Sequence, residues 1–358
     1  MYNVAIIGCG RISHKIAEGV AKNNDRMKLV VLCDPIEEKM FETEKTYNKK
    51  IEKENTILKY KNYREILKEN KIDIAIISTE SGYHEEIGLY FLENGVNLII
   101  EKPLAMSIEG AQKLVDTAKK NNLKLAASHQ NRFNYPIQLL KKAIKENRLG
   151  RIFNGMARIL WTRDDNYYLQ APWRGTWALD GGTLMNQCIH NIDLINWMMD
   201  DEIDTVYAQT SNYIRNIEAE DYGVILIRYK SGKIATIEGS AIVYPKNLEE
   251  TLTITGEKGT VVIGGMAVNK INTWRVEGDN EQEYLSIDCG DPNSVYGYGH
   301  EALYKDFVDA LDENREPLVN GIAGLNAVKI ILAAYKSQKT GLPVKFNEFL
   351  KFSTLDMV

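Results

Sequence analysis

The chain has 358 residues, a formal net charge of −5 at pH 7, 44% hydrophobic residues and 26% charged residues. These values are typical of a globular protein that is long enough for two domains. A negative net charge gives no general attraction to nucleic acid or to an anionic membrane, although it leaves room for a local basic pocket. We therefore expect no nucleic-acid and no membrane partner.

The cysteines and the first residues bear on location. None of the four cysteines belongs to a CxxC pair, so we interpret them as small apolar residues of a reducing compartment and expect no disulfide and no metal site. The first residues, MYNVAIIGCG, run directly into an apolar strand and a glycine turn, which is not the pattern of a signal peptide. No apolar stretch approaches the roughly 20 residues of a membrane span. The sequence predicts a cytoplasmic protein.

The first third of the chain alternates short apolar strands with helical segments. The predicted strands are Val4–Ile7, Leu29–Cys33, Ile74–Ser78, Leu98–Ile100 and Leu123–Ala127. The predicted helices are Ile16–Lys22, Tyr63–Glu69, Glu85–Asn94 and Ile108–Asn121. Continuous apolar strands are buried on both faces, as in a parallel sheet with helices on each side. Residues 1–128 are therefore predicted to form an α/β domain of the Rossmann type.

The pattern changes near residue 129. A strand over Ile152–Leu160, an irregular segment over residues 161–180 and a helix from Thr183 to Met199 come first. Successive strands separated by hairpin turns follow up to residue 287, and helices over Glu301–Asn314 and Gly321–Thr340 end the domain. Residues 129–358 are predicted to form an α+β domain on a large, mostly antiparallel sheet.

The loop IIGCGRIS after the first strand carries the pattern of a dinucleotide site. Gly8 permits a tight turn, and Gly10 lets the backbone approach a pyrophosphate at the start of a helix. Asp34 ends the second strand 24 residues after Gly10, close to the spacing at which an acid binds the adenosine ribose. Because a carboxylate repels a 2′-phosphate, NAD is favoured over NADP. The alternative is a glycine turn with an unrelated acid.

The stretch LIIEKPL places two charges at the end of a buried strand. Pro103 has no amide donor, so the strand ends at Glu101 and Lys102. Ligands of such sheets lie at the carboxyl ends of the strands, so both residues are predicted to lie beside the nicotinamide. The alternative is a solvated ion pair.

A polar stripe follows the paired glycines at positions 181 and 182. Asn186, His190 and Asp193 are spaced to share one face of a helix. A histidine between a carboxamide and a carboxylate is suited to proton transfer near neutral pH. The spacing alone does not separate a catalytic row from a solvated surface.

Four segments together resemble the Gfo/Idh/MocA family of oxidoreductases: IIGCGRIS, EKPLAMS, QNRFN and GGTLMNQCIHNID. The resemblance implies a Rossmann domain, a second domain with an open-faced sheet, a nicotinamide cofactor, a sugar substrate and association into homodimers or homotetramers. The family's catalytic lysine maps onto Lys102 and its histidine onto His190. Its frequent aspartate is Asn186 here, which we expect to orient the substrate and not to titrate.

Oxidation of a secondary alcohol requires removal of a proton and of a hydride. His190 is the preferred base, and Lys102 would stabilise the developing charge on the oxygen. The two roles are interchangeable in principle, because a lysine with a lowered pKa also acts as a base.

The segment WRGTWALDGG, followed by LMNQ and IHNIDLINW, is similar to UDP-N-acetylglucosaminuronic acid 3-dehydrogenases. Those enzymes make a 3-keto nucleotide sugar that is aminated afterwards in polysaccharide biosynthesis. UDP-N-acetylglucosamine is the near rival substrate. Inositol or another sugar, and a non-catalytic NAD-binding sensor, remain open. Relatives reoxidise the cofactor with a 2-oxo acid.

The predicted sites are as follows. Cofactor contacts are assigned to Gly8, Gly10, Arg11, Ile12, Asp34, Ser78, Thr79, His84, Glu101, Lys102, Gln130, Trp173 and Arg174. Substrate contacts are assigned to Asn131, Arg132, Arg158, Arg163, Asn186, His190 and His300. The alternatives are a surface ion pair for each of Arg132, Arg158 and Arg163, a core aromatic for Trp173 and Trp177, and a structural helix start for His300, which follows the glycine-rich turn 296–299.

Overall fold

The computed structural model describes residues 1–290, 297 and 299–358. It consists of two compact units, one of Met1–Ser128 with His300–Leu325 and one of His129–Gly299 with Asn326–Val358. The expected division at residue 128 placed residues 300–325 in the second domain, whereas in the structure they group with the first. Two contacts explain this: the amide of Ala127 donates to the Val319 carbonyl at 3.2 Å, and a Cβ on Gly19 would lie 2.5 Å from the Tyr304 ring.

The first unit is built on a six-stranded sheet. Its strands are β1 (Tyr2–Ile7), β2 (Met27–Cys33), β3 (Leu58–Tyr60), β4 (Ile74–Ile77), β5 (Asn97–Ile100) and β6 (Leu125–Ala127). The helices between them are α1 (Ser13–Lys22), α2 (Glu37–Ile51), α3 (Ile66–Glu69), α4 (His84–Glu93) and α5 (Ile108–Lys120). All strand pairs are parallel, in the order β3-β2-β1-β4-β5-β6. The predicted Rossmann fold is confirmed.

Burial explains why these apolar strands form a parallel sheet. The four residues of β4 are fully buried, as are Val4, Ala5 and Ile6 of β1, because helices cover both faces. The sequence prediction missed α2 and β3. The inner face of α2 carries Met40, Thr43 and Tyr47, and the rest of the helix is mostly charged, so its apolar signal is weak.

The second unit is built on an eight-stranded sheet. Its strands are β7 (Ile152–Leu160), β8 (Ile203–Ser211), β9 (Tyr222–Tyr229), β10 (Ile234–Ser240), β11 (Glu249–Gly256), β12 (Gly259–Gly264), β13 (Lys270–Val276) and β14 (Val344–Lys345). The sheet order is β13-β12-β11-β7-β10-β9-β8-β14. Only the described pair β7–β10 is parallel, which confirms a mostly antiparallel sheet.

Helices cover one face of this sheet. The other helices of this unit are α6 (Tyr135–Lys145), α7 (Asp165–Leu169), α8 (Thr183–Asn186), α9 (Ile189–Met199), α10 (Glu281–Leu285) and most of α12 (Gly321–Thr340), whereas α11 (Gly299–Asp312) groups with the first unit. A Cβ on Gly155 of β7 would lie 2.6 Å from Ile195 of α9, so α9 packs closely on that face. On the opposite face, Met156, Leu226 and Ile234 are exposed, as expected for an open-faced sheet.

The predicted helix from Thr183 to Met199 is interrupted. The amide of Cys188 bonds to the Thr183 carbonyl, five residues earlier, at 3.0 Å, so the chain widens between α8 and α9. Glu220 fixes the start of α8, because its carboxylate accepts from the Leu184 amide at 2.8 Å. Asn186 and His190 therefore lie on separate helices.

Within residues 1–290 and 299–358, none of the helices is both long enough and apolar enough to cross a membrane.

Candidate active site

The glycine loop of the first unit has the shape that a pyrophosphate requires. Gly8 has a φ of +92°, and a Cβ there would lie 2.5 Å from the Ser78 carbonyl oxygen, so only glycine fits between the ends of β1 and β4. A Cβ on Gly10 would meet nothing within 4 Å. The loop leads into α1, where Arg11 is exposed and Ile12 is partly exposed. The backbone here is open to a ligand at the start of a helix.

Asp34 joins the ends of the first two strands. Its carboxylate is 7% exposed and accepts from the Cys9 amide at 2.8 Å and from the Ile36 amide at 2.9 Å. Each carboxylate oxygen keeps a further lone pair, to which a ribose diol can donate. The open glycine backbone and this acid fit the pyrophosphate and adenosine ribose of NAD.

The ends of β4 and β5 are tied together by His84. Its Nδ1 lies 2.7 Å from the Pro103 carbonyl oxygen and its Nε2 lies 3.2 Å from the Thr79 carbonyl oxygen. Burial lowers the pKa of His84, and the two carbonyl contacts oppose this effect. Both ring nitrogens of this predicted cofactor contact thus face protein carbonyls, so His84 also holds the two strand ends together. Ser78 is likewise engaged, donating to the Gly8 carbonyl at 2.7 Å.

Glu101 and Lys102 stand at the tip of β5. The Glu101 amide makes the last bond of the strand, to the Ile77 carbonyl at 2.8 Å. Burial raises the pKa of the Glu101 carboxyl to about 7, against the opposing effect of the Lys102 charge. Lys102 itself is partly exposed. A buried acid is therefore followed directly by a partly exposed lysine at the carboxyl edge of the sheet.

His300 also belongs to this unit. Its Nε2 lies 4.0 Å from Glu101 Oε1, and burial lowers its pKa to about 4. The structure places this predicted substrate contact behind Glu101, as a buried residue at the start of α11. Residues 296 and 298 of the preceding glycine-rich turn lie outside the described residues.

In the second unit, Asn186 ends α8 and His190 lies in the first turn of α9. Both side chains are partly exposed, whereas Leu184, Met185 and Ile189 are fully buried. The ring of His129 packs edge-on against the ring of His190, with centroids 5.6 Å apart. Sequence reasoning had given His129 no role. The contact with His129 helps to fix the orientation of the His190 imidazole.

Arg132 and Asp193 form a buried ion pair. The Arg132 Nε donates to Asp193 Oδ2 at 2.7 Å and its Nη2 to Oδ1 at 2.5 Å, and the guanidinium lies 4.8 Å from the Trp197 ring centroid. Arg132 is 6% exposed and Asp193 is 2% exposed. The pair is structural, so the structure supports neither the predicted substrate contact of Arg132 nor Asp193 as a member of the catalytic row.

Gln130 and Asn131 lie in the turn that precedes α6 and are each 2% exposed. A Cβ on Gly299 would lie 2.1 Å from the Gln130 carbonyl oxygen, so the backbone packs tightly here. The predicted contacts Gln130 and Asn131 are therefore buried residues of the second unit.

The WRG segment forms a cationic and aromatic cluster. The Arg174 guanidinium lies 4.3 Å from the Tyr167 ring centroid and 4.8 Å from that of Trp173. The Arg163 guanidinium lies 5.2 Å from the same Tyr167 ring, so two arginines are gathered around one phenol. The ring of Trp177 packs against Tyr335 with centroids 5.1 Å apart, which fits its alternative interpretation as a core aromatic.

Arg158 is separate from this cluster. It lies on β7, two residues after Met156, so its side chain is on the same face of the sheet as Met156 and opposite α9. It forms ion pairs with Glu238 and Glu249 at 3.1 Å each. The structure therefore does not bring this predicted substrate contact to the face that carries His190.

Two family models match the chain. One, described as oxidoreductase family, NAD-binding Rossmann fold, matches residues 2–129. The other, described as oxidoreductase family, C-terminal alpha/beta domain, matches residues 141–346. Together they cover most of the chain.

Solved structures and curated relatives agree with these matches. The WlbA dehydrogenase of Bordetella pertussis, solved with NADH and UDP-GlcNAcA, is 32% identical, with a TM-score of 0.85 over 96% of this chain and 98% of that one. The WlbA dehydrogenase of Chromobacterium violaceum, solved with the same two ligands, is 33% identical, with a TM-score of 0.85 over 96% and 95%. A myo-inositol 2-dehydrogenase of Thermotoga maritima is 24% identical over 97% of this chain and 99% of its own length.

Proposed function

The chain belongs to the Gfo/Idh/MocA oxidoreductase family and is an NAD-dependent sugar dehydrogenase; we propose that it oxidises the C3 hydroxyl of UDP-N-acetylglucosaminuronic acid to the 3-keto sugar. One observation carries the proposal: 32% and 33% identity over 96% of the chain to dehydrogenases solved with NADH and UDP-GlcNAcA. Identity to the inositol dehydrogenase is 24%, which favours the nucleotide sugar.

The proposed oxidation gives one role each to His190, Lys102 and Asn186. NAD supplies the acceptor for the hydride that leaves C3. His190 removes the hydroxyl proton, and Lys102 donates a hydrogen bond to the same oxygen as its charge develops. The C3–H and O–H bonds break and a C=O bond forms, so the alcohol becomes a ketone. Asn186 orients the sugar.

The cationic cluster supports an anionic substrate. Arg163 and Arg174 both approach the Tyr167 ring, and guanidinium groups on aromatic rings keep their donors available for a carboxylate or diphosphate. We propose that Arg163 recognises the negative charge of the substrate and that Arg174, with Trp173, lies beside the cofactor. Arg132 and Arg158 are left out of this proposal because their charges are already paired.

The test is product analysis. The purified protein is incubated with NAD and, separately, UDP-N-acetylglucosaminuronic acid, UDP-N-acetylglucosamine and myo-inositol, each with and without a 2-oxo acid. We expect a 3-keto product from the uronic acid, identified by its mass and by the oxidation state of C3. A 3-keto product from UDP-N-acetylglucosamine alone would replace the substrate within the same reaction, and oxidation of inositol alone would reject the nucleotide sugar.

The Lys102→Ala variant is the control for catalysis. It should still bind NAD but lose turnover, because the residue acts on the reacting oxygen. Full turnover in this variant would remove Lys102 from the mechanism. A retained cellular function despite lost turnover would favour a sensor. Homodimers or homotetramers formed through the open sheet face, and a cytoplasmic location, stay predictions.

A further inference from the structure

Asp180 ends the WRGTWALD segment and has no role in the proposed chemistry. It is 2% exposed, and its carboxylate accepts hydrogen bonds within the second unit. The Gly175 amide donates to Oδ2 at 2.7 Å, and the side-chain carboxamide of Asn186 donates to Oδ1 through Nδ2. A buried carboxylate thus contacts the carboxamide that stands where the family often has an aspartate.

We propose that Asp180 is a positioning residue that fixes the carboxamide of Asn186 and requires an asparagine at that position. An ionised carboxylate only accepts hydrogen bonds, so the NH2 group of Asn186 must face Asp180. The carbonyl oxygen of the carboxamide then faces away from Asp180, and the proposed function assigns the sugar to that side. This inference rests on the proposed function for its catalytic part and on the geometry alone for the pairing.

The backbone around Asp180 makes it a fixed anchor. The Asp180 amide bonds to the Thr176 carbonyl at 3.1 Å, and the Gly175 carbonyl accepts from the amides of Glu218 and Ala219 at 3.1 Å each. Gly175 has a φ of +71°, and a Cβ there would lie 2.5 Å from Ile217. The loop is therefore held independently of Asn186, and the carboxylate orients the carboxamide.

The Asp180 carboxylate links the WRG segment to Asn186 within the second unit. Trp173 and Arg174 directly precede Gly175, whose amide donates to Asp180, and Asn186 donates to the other oxygen of that carboxylate. One side chain thus sets the position of the cationic segment relative to the substrate-facing carboxamide.

Asn186→Asp restores the aspartate that the family often has at this position, and the proposal predicts that this change lowers activity. Asn186→Asp places two carboxylates in contact at a buried position, so they share a proton and at least one apparent pKa rises. The variant should therefore lose stability and activity as the pH rises. An unpaired aspartate acting as an added base would instead raise activity.

The reciprocal double variant supplies the rescue. In Asp180→Asn/Asn186→Asp, the carboxamide at position 180 accepts from the Gly175 amide and donates to the carboxylate at position 186, so both bonds are kept. We compare the wild type, both single variants and the double variant by denaturant unfolding at pH 6 and pH 8. For the sugar that the wild type oxidises, we also measure kcat and KM across pH.

We expect Asn186→Asp to lower kcat at pH 8 on the order of 10- to 100-fold, more than it changes KM, and the double variant to recover most of that loss. Asn166→Asp is the matched control, because the Asn166 amide lies 3.4 Å from Asp164 in an exposed pair. Solvent screening should leave its stability and kcat close to those of the wild type.

Wild-type kcat and pH dependence in Asn186→Asp, or a double variant no better than the worse single variant, would overturn the proposal. If the wild type oxidises no tested sugar, the proposed function fails but the pairing is still decided by unfolding. In that case, recovery of the unfolding free energy in the double variant supports the pairing of Asp180 with Asn186. Losses of unfolding free energy that simply add in the double variant reject the pairing. The role of Asn186 in orienting the sugar is refuted together with the activity.

Discussion

The ion pair between Arg132 and Asp193 offers a sharp test of structure against sequence interpretation. Asp193→Leu leaves a guanidinium that is 6% exposed without its carboxylate, and the two bonds at 2.7 and 2.5 Å are lost. Removal of one partner of a buried pair costs about 3–5 kcal/mol of unfolding free energy. Arg132→Met should cost a similar amount, including about 0.5–1 kcal/mol from the contact with Trp197.

The double variant Arg132→Met/Asp193→Leu should recover most of that stability, because neither charge of the pair remains to be left uncompensated. Denaturant unfolding followed by circular dichroism measures all three variants and the wild type, and sugar oxidation gives KM. Arg158→Met is the matched control, since the Arg158 side chain is 36% exposed and its pairs are worth at most about 1 kcal/mol each. If Arg132→Met kept wild-type stability while KM rose about tenfold or more, Arg132 would be a substrate ligand and the structural interpretation would fail.

Three further predictions follow from single residues. Gly8→Ala should abolish measurable NAD binding in calorimetry, because its Cβ would meet the Ser78 carbonyl at 2.5 Å. The control Gly95→Ala, with a φ of +81° and nothing within 4 Å of the added Cβ, should bind NAD normally. Unchanged NAD affinity in Gly8→Ala would refute the assignment of the glycine loop to the pyrophosphate. Glu250→Gln should gain stability relative to the wild type as the pH rises from about 4.5 to about 8. Burial raises the pKa of Glu250 to about 8, so the folded wild type binds more protons than the unfolded chain and loses stability over that range. Parallel pH profiles of the two proteins in urea unfolding would contradict this. Arg158→Met should leave kcat and KM for the sugar unchanged, and a tenfold rise in KM would place Arg158 in the site.

The first unit was predictable because its signals are local. Continuous apolar strands, the glycines at positions 8 and 10 and the acid at the end of β2 follow one another within a short stretch, and each indicates the same fold. The grouping of residues 300–325 with the first unit was not predicted, because the attachment of this segment to β6 and to Gly19 depends on contacts between residues distant in sequence. Helical periodicity in that segment carries no information about its partner.

The second unit shows where sequence patterns fail. The bond from the Cys188 amide to the Thr183 carbonyl separates α8 from α9, and the even spacing of Asn186, His190 and Asp193 gives no sign of it. Glu220, which fixes the start of α8, is distant in sequence. Asp193 and Asn186 each find a partner, Arg132 and Asp180, that spacing on one helix cannot reveal. The candidate residues Lys102 and His190 came from motifs, and their environments came only from the structure.

Transfer of hydrogen from C3 to the cofactor tests the central claim most directly. UDP-N-acetylglucosaminuronic acid deuterated at C3 is incubated with the protein and NAD, and the reduced cofactor and the sugar are analysed by mass spectrometry. The account predicts one deuterium on the reduced cofactor and a 3-keto sugar that has lost it. Bound NAD with no deuterium transferred and an unchanged sugar would contradict the account.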